Sequence, residues 1–183
     1  MLSIDAALKI PGWMNEDELW CLADLASKSA RILEVGSWMG RSTMALAMNT
    51  SGTVTAVDTW MGSPEQVHAD ILAGKDKDWL FREFLCNTQS AKNLMPFRAA
   101  SLDAAHQLSN QGMTYDLIFI DASHEQEPVE QDILAWQTLL SKNGILCGHD
   151  YDRGWPGVIW AVDHLVPNAT HPAGAIWQTP RKD

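Results

Sequence analysis

Between Arg31 and Thr43 the chain reads Arg31-Ile-Leu-Glu-Val-Gly-Ser-Trp-Met-Gly-Arg-Ser-Thr43. A short apolar run carries a carboxylate near its end, passes through a turn punctuated by Gly36 and Gly40, and leads straight into residues suited to a helix. The pattern predicts a strand, a tight loop and a helix in succession. It recurs one unit later in Thr53-Val-Thr-Ala-Val-Asp58, again an apolar strand with an acid at its end. A carboxylate in that position can accept both hydroxyls of a ribose, so the pair of units marks a nucleotide-cofactor site on an α/β sheet.

The rest of the chain continues the alternation. Asn15 and the acids of Glu16-Asp-Glu18 open an amphipathic helix through Leu19, Leu22 and Leu25 to about Ala30, so residues 1–30 form a helical cover for the sheet. Strand 32–36, helix 41–48 and strand 54–58 follow. Periodicity lapses over residues 59–78, a stretch of Gly, Pro and charge expected to act as a mobile flap, and resumes as a helix over 79–91. A short strand at 95–100, a helix at 102–108 and the apolar strand Tyr115-Asp-Leu-Ile-Phe-Ile-Asp121 come next. That run suits a strand covered on both faces. A helix entered at Pro128 and stopped by Lys142-Asn-Gly144, a strand at 145–148, a helix at 158–166 and a strand at 175–179 complete the pattern. The expectation is one α/β domain over residues 1–183: a Rossmann-like, doubly wound and mostly parallel sheet with helices on both faces.

Composition narrows the function. With 183 residues, 46% of them hydrophobic, there is core for one domain and too little for two. A net charge of -10 and the lack of a basic, aromatic-interleaved stripe argue against a nucleic-acid partner. No stretch approaches the roughly 20 apolar residues of a membrane span, and no basic segment with an apolar run opens the chain. Cys21, Cys86 and Cys147 lie far apart in apolar surroundings and read as buried free thiols, so a cytoplasmic protein is expected.

Four strand ends carry polar groups: Glu34, Asp58, Asp121 and His149-Asp150. In an open parallel sheet these ends meet at one crevice. Together with Gly144-Ile-Leu-Cys-Gly-His-Asp150 and the continuation Asp121-Ala-Ser-His124, they make the chain resemble the class I S-adenosylmethionine-dependent methyltransferases, in particular the small O-methyltransferase branch.

What that resemblance implies can be set out residue by residue. Gly36, Ser37, Gly40 and Ser42 would lie on the loop beside the methionine part of S-adenosylmethionine, with Glu34 supporting its amino group. Asp58 would hold the ribose, Thr59 and Trp60 would flank the adenine, Ser101 and Leu102 would meet the adenine edge, and Asp121 would complete the cofactor site. In the catechol-type branch the acids ending the fourth and fifth strands also hold magnesium. Here the corresponding residues are Asp121, His149 and Asp150, and the histidine favours manganese, iron or zinc over magnesium, or no ion at all. His124 stands where that branch carries its general base, and His149 is the alternative base. His68, His106, His164 and His171 are expected to face solvent. Trp38, Trp60 and Trp155 are placed either to stack on a ring or sugar or to serve core or homodimer contacts.

The resulting expectation is methyl transfer to a hydroxyl of a small molecule, such as a sugar or a natural-product intermediate. Two alternatives remain: a cofactor-binding protein without transfer activity, and a nicotinamide-dependent dehydrogenase. The second is disfavoured because Gly36-Ser-Trp-Met-Gly40 places bulky side chains where a dinucleotide loop carries glycine.

Overall fold

The computed structural model describes residues 1–63 and 65–180. Six strands, β1 (Arg31–Val35), β2 (Thr53–Asp58), β3 (Leu94–Arg98), β4 (Tyr115–Ile120), β5 (Leu140–Gly148) and β6 (Trp177–Gln178), form one sheet in the order β3-β2-β1-β4-β5-β6. β1 to β5 are parallel, and β6 runs antiparallel to β5. The order reverses between β1 and β4, so the loops after these two strands open a crevice at their carboxyl ends.

Alternate side chains of the central strands feed two cores. Ile32, Leu117 and Phe119 join one beneath α1 (Asp5–Leu8), α2 (Glu16–Ser27), α3 (Arg41–Ala47) and α5 (Trp79–Thr88). Leu33, Ile118 and Ile120 join the other beneath α6 (Ser101–Asn110), α7 (Gln126–Trp136) and α8 (Pro156–Leu165). Period-two alternation with both faces covered explains why these strands read as continuous apolar runs. Pro96 lacks a backbone donor and accordingly sits in β3, the edge strand.

The largest departures from the expected elements are three. The helix predicted to run to Lys142-Asn-Gly144 ends at Trp136, passes through a 3₁₀ turn over Gln137–Leu139, and gives way to β5 at Leu140. Tyr115 pairs with Leu140 but Leu117 with Ile145, so the apparent helix stop is a bulge within a strand. The last strand is two residues long and antiparallel rather than spanning 175–179. The flap segment contains a two-turn helix, α4 (Gln66–Leu72), none of whose residues is fully buried, which is why no apolar stripe announced it. Among the cysteines, Cys147 is buried, Cys21 is half-buried and Cys86, expected inside, is exposed. No described helix is long and apolar enough to cross a membrane.

Candidate active site

The loop after β1 is shaped by backbone geometry that side chains would obstruct. Gly36 has φ +86°, and a Cβ there would lie 2.0 Å from the Asp121 carbonyl oxygen; glycine lets β1 and β4 approach at the crevice. Asp58, at the end of β2, clasps the same loop. Its Oδ2 accepts from the amides of Ser37 and Trp38, both at 2.8 Å, and its Oδ1 accepts from the amide of Trp60 at 2.6 Å. Oδ1 keeps one acceptor site, and Asp58 lines a cleft with Thr59, Ala99, Ser101 and Asp121. The flap closes the cleft through Gly62, Ser63 and His68.

Trp60, Glu34 and Leu102, each expected beside the cofactor, do not line this cleft. Trp60 is wholly buried between Phe81 and Phe84, its indole N–H donating to the Trp38 carbonyl at 3.0 Å, so it braces the loop from within the core. Glu34 is also fully buried. One oxygen accepts from Ser37 Oγ at 2.6 Å and from Thr43, the other has no partner, and burial pushes its carboxyl up to about 7. Leu102 is exposed at an open depression that adjoins the cleft through Ser101 and Ala122.

Ser101 does reach the cleft, and it is held from below. It donates to Asp132 at 2.5 Å and accepts from the Trp136 indole at 2.8 Å. Burial pushes Asp132 from 3.8 up to about 6. An acid whose folded pKa is raised is most favourable to the fold below its unfolded pKa. Stability should therefore fall as pH rises from about 4 to about 6, by about 3 kcal/mol from this group alone. Asp132→Asn should remove that slope, read as the difference between variant and wild-type urea unfolding across pH 4 to 7.5. Parallel profiles would show that Asp132 ionises without penalty.

Beyond Asp121 the cleft meets a larger cavity of about 430 Å³, and the two share Trp38, His68, Asp121 and Ala122 as walls. Here the ends of β4 and β5 and the flap bring two histidines among four acids. His124 Nε2 lies 2.9 Å from Asp150 Oδ2, and its Nδ1 lies 2.8 Å from Glu65 Oε1, a flap residue. The Trp155 ring stacks on the imidazole at 3.9 Å. Burial opposes the charge of His124, but the hydrogen bond and charge of Asp150, with Glu65 and Asp121 behind them, hold it at about 9. His149 Nδ1 lies 3.1 Å from Asp150 and 3.7 Å from Asp121. Its Nε2 lies 3.2 Å from Glu18 Oε1, close enough for an ion pair although not aligned as a hydrogen bond. Burial again opposes charge, yet Asp121, Asp150 and Glu18 push His149 up to about 11. Asp121 is pushed up to about 7 by burial, with His149 pulling it down and Asp150 pushing it up. Burial also acts to raise Asp150, but the two histidines outweigh it and hold its carboxyl well below the usual range.

A methyltransferase domain model matches residues 33–151, from β1 through the loop after β5. The chain belongs to this methyltransferase family. None of the curated proteins matches it. Among solved structures, this methyltransferase is similar to the calicheamicin methyltransferase CalS11, at 17% identity and a TM-score of 0.67, over 91% of this chain and 78% of that one. It is similar also to an O-methyltransferase from Bacillus cereus solved in complex with SAH, at 20% identity and a TM-score of 0.65, over 96% and 86%. A precorrin 8W decarboxylase from Methanobacterium thermoautotrophicum aligns as well, at 14% identity and a TM-score of 0.63, over 89% and 78%. At such identities the likeness shows the fold alone, and the reaction has to be read from the site.

The methyltransferase's own sequence concealed four participants. Glu65 and His68 come from the flap, and His68 does not face solvent as expected but stacks on Trp38 at 4.2 Å. His106, His164 and His171 are exposed, as expected. Glu18 closes a capping box with Asn15 and uses its other oxygen to accept from the Ala175 amide at 2.9 Å, beside His149. Trp13 packs on both Trp38 and His68. The Asn-x-x-Glu spacing was the visible sign of Glu18, though it speaks only of helix capping.

Proposed function

We propose that this methyltransferase binds S-adenosylmethionine in the Asp58 cleft and transfers its methyl group to a hydroxyl of a small molecule held in the adjoining cavity. The observation that carries this reading is His124. It stands in that cavity, three residues beyond Asp121 at the shared wall, with Nδ1 fixed by Glu65 and Nε2 turned to Asp150. With no acceptor bound, both ring nitrogens face carboxylates and the imidazole keeps its proton. An entering hydroxyl that takes Asp150's place at Nε2 removes the strongest influence raising the pKa, so the imidazolium gives its Nε2 proton up to solvent and Nε2 becomes able to accept. The acceptor oxygen then bonds to the methyl carbon, the carbon–sulfur bond breaks to release a neutral thioether, and the hydroxyl proton passes to Nε2. The remaining task of the protein is to hold oxygen, carbon and sulfur in line.

A second reading rests on the donor set. Oxygen atoms of Asp121 and Asp150 and a nitrogen of His124 lie within 4.8 Å of one another, which fits one divalent ion. The imidazole suits manganese, iron or zinc better than magnesium. When bound, such an ion would gather the acceptor oxygen and lower its pKa. His124 would then be a ligand and not the base, so the two readings exclude each other. His149, expected among the ligands, is not in this group; its Nδ1 faces Asp150 and Asp121 and its Nε2 faces Glu18.

Calorimetric titration of S-adenosylmethionine and S-adenosylhomocysteine, with NAD as control, tests the cofactor. Micromolar binding of the sulfur nucleotides alone is expected, and preference for NAD would sink the reading. Turnover on a hydroxyl panel with EDTA, then with added manganese, separates the two forms of the mechanism. Transfer that survives EDTA supports His124 as base, and transfer restored only by manganese supports the ion.

A further inference from the structure

The cavity next to the cleft is unusual in what it offers a ligand. Trp13, Trp38 and Trp155 supply its flat walls, and Glu65, Asp121, Asp150 and Asp152 supply carboxylates. No lysine or arginine among the described residues lines it. Arg41, near Met14, donates to the carbonyls of Ile10 and Met14, and Arg153, between Asp152 and Trp155 in sequence, is exposed and not among the lining residues. His124 and His149 face four acids, Glu18, Glu65, Asp121 and Asp150, so the cluster carries more carboxylates than imidazoles to balance them. The whole chain adds to the same sign, with a net charge of -10.

A phosphate or carboxylate entering here would lose its water and meet acids, with no lysine or arginine on the cavity wall to replace it. A protonated amine gains twice, from charge-assisted hydrogen bonds to carboxylates and from the faces of the indoles. Hydroxyl groups on the same molecule find acceptors in those carboxylates, and the C–H faces of a sugar ring suit tryptophan. We propose that the acceptor is a cationic amino polyol of the amino-sugar type, free of phosphate and carboxylate, a reading that rests on the methyl-transfer function above.

The test is calorimetry on the full chain in buffer of physiological salt, with and without saturating S-adenosylhomocysteine. The probes are kanamycin as the amino sugar, trehalose as the neutral one and UDP-glucose as the phosphate-bearing one. Cofactor binding is measured separately, so a failure of the cofactor reading shows there, while the acceptor titrations still report on the unloaded protein. Kanamycin should bind one-to-one and about tenfold or more tightly than trehalose, a margin of about 1.4 kcal/mol, and UDP-glucose should give no saturable heat. Trp13→Ala and Asp152→Asn, both at exposed positions, should each weaken kanamycin severalfold, and Asp152→Asn should leave S-adenosylhomocysteine affinity unchanged. Absence of one-to-one kanamycin binding, binding indifferent to both substitutions, or UDP-glucose binding as tightly as kanamycin would each overturn the proposal.

Discussion

Replacing His124 with alanine is expected to leave S-adenosylhomocysteine affinity within about twofold and to slow methyl transfer by about 10²- to 10⁴-fold. The asymmetry follows from position. His124 lines the larger cavity and not the cleft that Asp58 lines, so its loss removes a proton acceptor without touching the cofactor's walls. Glu65→Gln supplies a graded companion. It keeps an acceptor for Nδ1–H but not its charge, and a smaller loss in kcat with little change in KM is expected. Full turnover by His124→Ala would dispose of His124 as the base. Equal loss of cofactor binding and transfer would instead mean that the imidazole is a structural strut whose removal unseats the flap.

Asp58→Ala should have the opposite profile: cofactor affinity falling by about 100-fold or more, with a lowered thermal midpoint. The side chain has two tasks. On the proposed reading it receives the ribose, and it gathers three backbone amides from the β1 loop and from its own turn. Hydrogen bonds to a charged acceptor are worth about 1.5–3 kcal/mol each, so alanine loosens the loop as well as removing a ligand contact. Trp38 and Trp60 both have positive φ, 47° and 51°, a conformation that non-glycine residues hold only where the surroundings enforce it. Asp58 is among the groups that enforce it. Asp58→Asn should recover part of the stability and less of the binding. An alanine variant that binds the cofactor normally would show that the ribose is held elsewhere.

Much of the architecture was legible because its cause is local. Period-two apolar runs fix β1 and β4, and glycine at positive φ fixes the turn that follows β1. What escaped notice is tertiary. His124 and Glu65 are 59 residues apart, and nothing in the polar run around Glu65 distinguishes a residue that will face an imidazole from one that will face water. Trp60 misled for the opposite reason. Its place after the β2 acid suggested a ligand contact, while the need to fill the space beside Phe81 and Phe84 turned the ring inward. Lys142-Asn-Gly144 misled because a bulge in a strand and the end of a helix call for the same small and polar residues.

Glu18 has a consequence for how the molecule comes into being. One of its oxygens closes the first turn of α2, and the other receives the amide of Ala175, 157 residues later. His149 reaches its third carboxylate only through that same side chain. On a ribosome, synthesis runs from the N-terminus, so the cap of α2 can form early, whereas its second partner emerges 157 residues later. Until then the buried acids and imidazoles after β4 and β5 lack one corner of their mutual compensation. The charged centre is therefore a late product of this domain's folding, completed only when Glu18 and Ala175 meet across 157 residues of chain.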